Sequence, residues 1–299
     1  MKTQAEPGRR TRNLSLRRQG LESHSYHRNM LAVPLISANA SPLGWMLALA
    51  AAVAYAVPAA GSRRISQAGA RAALRLAWVL HALALAWGLL GEQPHFGFAP
   101  ALSMTAWLVL TVYAVEQQLF PKMRAQLALS ALGTVAVLMA ALFPGTPLHV
   151  NASPWLPLHL ALGIASYGLF AASVVHAGLM TRAEQHMRQG GGHDSGLPLL
   201  TLERLTFRFV TAGFVLLTAT LAAGWLFGEQ LYGKAWVWNH KSVFSLLSWL
   251  TFAVLLIGRA RFGWRGRSAV RMLYAGALLL LLAYVGSRFV MEVMLGRVA

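Results

Sequence analysis

The sequence predicts an all-α, polytopic integral membrane protein of about eight transmembrane helices, with both termini outward. Three observations carry that expectation. Hydrophobic residues make up 57% of the 299 and charged residues only 12%, about half the ~25% charged share of a soluble domain. Several apolar runs approach the ~20 residues that a helix needs to cross a bilayer. Basic residues are concentrated in alternate short loops between those runs, the pattern that sets orientation in a membrane. Backbone groups in lipid must be bonded internally, and the runs lack the alternation of barrel strands, so helices are the economical solution.

The spans fall at about 42–60, 74–91, 99–116, 125–143, 155–180, 207–228, 242–258 and 269–291. The link after the first carries Arg63, Arg64 and Arg71, and the link after the third carries Lys122 and Arg124. The link after the fifth carries Arg182, Arg188 and Arg204, and the link after the seventh Arg259, Arg261, Arg265 and Arg267. The intervening links 92–98 and 144–154 hold no Lys or Arg, and 229–241 holds only Lys234 and Lys241. The first set is therefore cytoplasmic and the second outward. The formal net charge of +17 is explained by these loops and gives no reason to invoke nucleic acid. The chain has no cysteine, which excludes disulfides, thiolate metal sites and any thiol relay of its own.

Residues 1–40 read as a basic, disordered extension without helical periodicity, and 41–299 as the membrane domain. An outward basic tail opposes the orientation rule and lacks the apolar core of a signal peptide, so translation is expected to start at Met30 rather than Met1. The stretch RQGGGHDSG reads as a flexible linker in the longest cytoplasmic link.

Ionisable side chains at membrane depth are costly and point to function. His81, in LAWVLHALALAWGLL, lies about seven residues into the second span. His159, in WLPLHLALGIASYGLF, lies near the outward start of the fifth, and His176 toward the inner end of the same span. Arg288 and Glu292 stand four apart at the outward end of the last span and pair with each other. A membrane histidine serves either as an interhelical hydrogen-bonder or as a ligand, and imidazole is a common ligand of haem iron. From a rise of 1.5 Å per residue, His81 and His159 are separated by more than ~10 Å in depth within a ~30 Å core. Two sites fit better than one: an outward site at His159, with His149 or His240, and a deeper one at His81. Opposite His159, the stretch YGKAWVWNHKSVFSLLSWL places Trp236, Trp238 and His240 at the outer interface. Indoles belong at such interfaces in any membrane protein, and they equally suit a platform for a flat aromatic macrocycle whose anionic groups Lys234 and Lys241 could meet.

The stretch around His159, with Ser166 and Tyr167 seven residues on, resembles a helix of the cytochrome c assembly proteins of the CcsA/ResC/CcmC/CcmF type. So does the tryptophan-rich stretch with Trp236, Trp238 and Trp249. FGWRGRSAVRMLYAGALLLLLAYVGSRFV and VLHALAL are most similar to the YpjD-like inner-membrane branch. The resemblance spans about 42–293. It implies haem b presented at the outer face over the tryptophan-rich loop, with His159 as an axial ligand, and passed to an apocytochrome c or another maturation protein. The chain would then act as a haem transporter or chaperone-like component of the bacterial inner membrane rather than as a complete enzyme. The family's Asp in the tryptophan signature is Asn239 here, and its second outward histidine, expected at the end of the last span, has no counterpart except Met291 or Met294. The alternative is a non-catalytic membrane accessory that kept the fold without haem and serves a transporter, including one for divalent cations.

Overall fold

A computed structural model describes residues 41–60, 66–91, 94–119, 126–147, 155–189, 199–229 and 238–295. The basic extension, the proposed start at Met30 and the RQGGGHDSG stretch lie outside the described residues.

Eight helices are found among the described residues: α1 (Pro42–Ala60), α2 (Gln67–Leu90), α3 (Phe98–Leu119), α4 (Gln126–Leu142), α5 (Leu156–Arg188), α6 (Leu199–Leu226), α7 (His240–Phe262) and α8 (Gly266–Leu281). α8 continues to Met294 through two π-helical turns, Leu282–Gly286 and Val290–Met294. Six of the eight are long and apolar enough to cross a membrane, and α1 and α4 are shorter apolar helices. The chain is a multi-pass helical membrane protein.

Several helices run past the ends that hydropathy marks. α2 starts at Gln67, α5 continues to Arg188, and α6 starts at Leu199. Once a helix is nucleated, each added residue gains a backbone bond whether or not it is apolar. Arg71, Arg182 and Arg204 are therefore helical. The short outward links pair as a two-stranded antiparallel ladder, β1 (His95–Phe96) with β2 (Thr146–Pro147). Gly97 and Gly145 make the close approach possible: a side chain begun at Gly97 would lie 2.7 Å from the Gly145 backbone, and Gly145 itself has φ +86°.

Two groups of four helices, α1–α4 and α5–α8, each centre on a hydrophobic cluster, the first of which also takes in Met180 of α5 and Leu202 of α6. In the first, Tyr55 of α1 packs edge-on against His81 of α2 and lies over Gly133 of α4, where a Cβ would come within 2.8 Å of its ring. In the second, the Phe170 and Phe252 rings stack at 3.8 Å between α5 and α7. Serine hydroxyls donate across helices to backbone carbonyls: Ser166 to Gly213 at 3.0 Å, Ser173 to Thr206 at 3.3 Å and Ser248 to Gly276 at 2.8 Å. Tyr167 donates to the Leu280 carbonyl, just ahead of the first widened turn of α8.

The groups join along α3 and α5. A Cβ at Gly168 would come within 2.7 Å of Leu108, so the two backbones approach closely there. Nearer the basic end, His176 Nε2 and Glu116 Oε2 meet at 2.8 Å, both side chains nearly fully buried. His176 Nδ1 donates to the Ala172 carbonyl at 2.7 Å, so the pair shares one further proton across the Nε2–Oε2 contact. Breaking a buried pair from one side leaves the partner unmatched and costs ~3–5 kcal/mol, whereas an apolar pair of similar volume is often neutral. Glu116→Ala is expected to lower the thermal unfolding midpoint in detergent sharply, and Glu116→Leu combined with His176→Leu to recover most of the loss. Equal losses in the single and double variants would contradict a paired role.

Candidate functional site at the outer rim

The geometry of the rim follows from helix direction. α5 runs antiparallel to α6 through the Ser166 and Ser173 bonds, and α6 runs antiparallel to α7 through Trp249 to Thr218 at 2.9 Å and Arg259 to Glu203 at 2.7 Å. Two reversals leave α5 and α7 parallel, with their starts at one end. The Phe170–Phe252 stack sets their level. Eleven residues earlier on each helix stand His159 and Lys241, immediately after His240. His159 is half-buried one turn into α5, and His240 and Trp238 are exposed at the same end. These residues of the predicted site therefore share one rim, while Trp236 lies outside the described residues, as do Lys234 and His149.

Trp249 belongs to a different layer. It is level with Tyr167, about 12 Å below the rim at the helical rise, where its indole stacks on Phe214 at 5.5 Å and donates to Thr218. Its structure-borne role is to fix α6 against α7.

Position 239 acquires a physical role that its sequence did not disclose. The Asn239 side chain accepts from the Ser242 backbone N–H at 3.0 Å and caps α7. Asn and Asp cap helices about equally well, so replacing the signature Asp by Asn preserves the helix start that aims His240 and Lys241. The far end of α7 closes on Gly263, at φ 64°, and the Trp264 N–H returns to the Gly258 carbonyl at 3.2 Å. The Trp264 ring lies against Gly258, where a Cβ would come within 2.3 Å. The Gly-Trp-Arg-Gly-Arg loop is thus a helix stop followed by a start.

At the end of α8, Arg288 contacts Glu292 at 3.3 Å and Thr146 of β2 at 3.4 Å. Glu292 also accepts from the Phe98 backbone N–H, and its carboxylate approaches Gly97 so closely that a Cβ there would fall 2.8 Å from it. Lys241 lies within electrostatic reach of both charges. The end of α8 therefore anchors the β1–β2 ladder and the start of α3. Met294 is exposed and Met291 only partly buried.

His81 is fully buried and elsewhere. Its Nδ1 contacts the Tyr55 hydroxyl at 3.2 Å and its Nε2 contacts Ser103 Oγ at 2.8 Å. Both ring nitrogens are engaged, and iron ligation there would require one of these bonds to break. Its ring thus bonds α2 to α1 and to α3. Sequence reasoning missed its partners and the Glu116–His176 pair because depth along separate spans says nothing of which helices adjoin. The available signal was that Tyr55, Ser103 and Glu116 are polar groups inside apolar runs. Among the described residues no group of three or more His, Asp or Glu side chains is arranged to hold a metal ion.

The family model of cytochrome C assembly proteins matches residues 69–295, and the chain belongs to that family. Its relatives include the inner membrane protein YpjD of Escherichia coli K12, 29% identical over 264 residues covering 83% of this chain and 98% of that one. They also include the cytochrome c biogenesis protein CcsA of Prochlorococcus marinus, 22% identical over 69% of this chain and 76% of the relative. CcsA of a Synechococcus strain is 24% identical over 68% and 77%. No solved structure matches the chain.

The cap at position 239 is open to a direct check. Asn239→Ala is expected to cost ~1 kcal/mol of stability and Asn239→Asp almost nothing, as measured by unfolding in detergent. An Asp variant as damaged as the Ala variant would remove the capping explanation.

Proposed function

We propose that the protein is an inner-membrane, haem-handling component of c-type cytochrome assembly that holds haem at the rim where α5 and α7 begin. The single observation that supports this most is the common level of His159 and of the His240–Lys241 start of α7, set by the Phe170–Phe252 stack. The donor set fits the group: a half-buried imidazole at the edge of the apolar layer, a second imidazole at His240, and the exposed Trp238 indole. Bound haem would supply an iron for axial coordination and a flat apolar ring for stacking.

The chain's own residues do the holding. His159 presents a nitrogen from a helix that Ser166 and Tyr167 fix against α6 and α8. Trp238 offers a ring face above the capped start of α7, and Trp236 would extend that face. Lys241 provides positive charge for anionic carboxylates near the rim. The chain has no cysteine, so the thioether sulfurs would come from the protein that receives haem. An apocytochrome or another maturation protein would be its partner. His81 does not take part in this reading, because Tyr55 and Ser103 hold its ring.

One observation favours a second reading, in which the fold serves as a haem-free membrane accessory, including for a cation transporter. Where the related assembly proteins would carry another outward histidine, Arg288 and Glu292 are occupied in tying α8 to the β1–β2 ladder. The optical spectrum of detergent-purified protein separates the two. A Soret band that falls several-fold in His159→Ala and is retained in His81→Ala is the expected result. Protein from haem-replete cells that has no band and takes up no added haem would establish the accessory reading instead.

A further inference from the structure

At the basic end of the bundle, α5 and α8 carry a cluster that neither the rim nor the helix packing uses. The two helices are antiparallel neighbours. Tyr167 bonds to the Leu280 carbonyl nearer the outer end, and Ala177 and Leu273 share one buried cluster nearer the basic end. At that level a Cβ at Gly178 would lie 3.8 Å from the Tyr274 hydroxyl, and no other side chain comes within 4 Å of it. Four residues further along α5 stands Arg182, and three and seven residues before Tyr274 on α8 stand Arg271 and Arg267. All four side chains are exposed.

Helix direction brings these groups toward one notch. A helical side chain leans toward the N-terminus of its own helix, so Arg182 is directed back over the Gly178 turn. Tyr274, on a helix of opposite direction, leans the other way to meet it. Arg182 lies ~6 Å beyond Gly178 and Arg271 ~4.5 Å beyond Tyr274 at the helical rise, both toward the basic end. Carboxylates are engaged elsewhere. Among the described residues Arg182, Arg267 and Arg271 form no ion pair, while Glu203 meets Arg259 and Glu116 meets His176. Glu184, two residues after Arg182, leaves α5 roughly 200° around the helix from it. Toward the outer face, Tyr274, Leu278 and Leu281 follow one another on a single face of α8, and all are exposed.

We propose that this notch holds the headgroup of an anionic phospholipid. Its phosphate would lie among Arg182, Arg271 and the Tyr274 hydroxyl, with Arg267 one turn nearer the basic end, and one acyl chain would follow the exposed face of α8. Guanidinium matches phosphate in shape as well as in charge, and basic pockets between membrane helices on the cytoplasmic side recognise such headgroups. A soluble anion would match the arginines and leave the apolar face unused. A zwitterionic lipid would bring its own cation against three guanidinium groups. This inference is independent of haem at the rim.

Native mass spectrometry of the full-length protein in detergent, titrated with phosphatidylglycerol or with phosphatidylcholine, tests the assignment. Phosphatidylglycerol is expected to be retained in preference to phosphatidylcholine. Arg182→Gln combined with Arg271→Gln should weaken its retention about tenfold, with the unfolding midpoint of the lipid-free protein unchanged. Gly178→Leu, which fills the notch and leaves every charge in place, should weaken it as well. Arg204→Gln combined with Arg208→Gln removes the same charge from exposed side chains of α6 and should alter retention by less than about twofold. His159→Ala should leave retention unchanged, so failure here and failure at the rim are read separately. Equal losses in the two arginine pairs would mean that any basic group at this end serves, and would overturn the inference. Equal retention of the two lipids overturns it too, as does displacement of the lipid by the deacylated headgroup glycerophosphoglycerol at matched concentration.

Discussion

Helices already in lipid gain nothing from hiding apolar surface, so their positions must be set by close packing and by polar bonds between them. That constraint governs the second four-helix group. Ser166, Ser173 and Ser248 each give a hydroxyl to a carbonyl of a neighbouring helix, and Tyr167 gives its own to Leu280. Gly213 and Gly276 bear no side chain, so the Phe170 and Phe252 rings lie close over them. A stack between α5 and α7 follows, and it is this stack that brings the rim residues level. The position of His159 is fixed by structural residues seven and eight positions further along its helix, Ser166 and Tyr167.

The last helix obeys the same constraint differently. A regular α-helix uses its carbonyls internally, and a π-helical turn rearranges that ladder, often at functional sites. Tyr167 bonds to α8 where the first such turn begins, and Arg288 stands between the two turns. The widened turns change the direction in which Arg288 and Glu292 leave the helix. Both meet the β1–β2 ladder and the start of α3, while Lys241 brings a third charge from α7. The charges of the rim thus also join the two helix groups at their outer end, as Gly168 and the Glu116–His176 pair join them deeper along α3 and α5.

What was legible in the sequence was whatever lipid dictates locally. Apolar run length gave eight spans, and the alternation of arginine-rich and arginine-poor links gave their directions, because both are properties of one segment at a time. The rim was legible for the same reason: His159 and Trp238 each lie next to an outward link. Helix ends were not, since Arg71 and Arg188 extend helices that hydropathy ends earlier. Pairings between segments were also hidden. Nothing adjacent to His81 in sequence indicates Tyr55 or Ser103, and nothing near Glu116 indicates His176. Asn239 showed as a lost carboxylate in sequence, and its capping bond to Ser242 appears only once the start of α7 is placed.

The two outer openings differ in the one property that selects ligands in a membrane, which is charge. At the rim, Lys241 lies within electrostatic reach of Arg288 and Glu292 and directly follows the exposed His240. The cavity of about 560 Å³ between α1 and α4 is lined by small residues with Trp45, Trp87 and His95, and among the described residues by no Asp, Glu, Lys or Arg. A carboxylate moved into that cavity would exchange water for small apolar residues and lose several kcal/mol. Among the described residues, the fold therefore places charged side chains at one opening and small apolar ones at the other. That division follows from side chains on helices whose packing is already fixed.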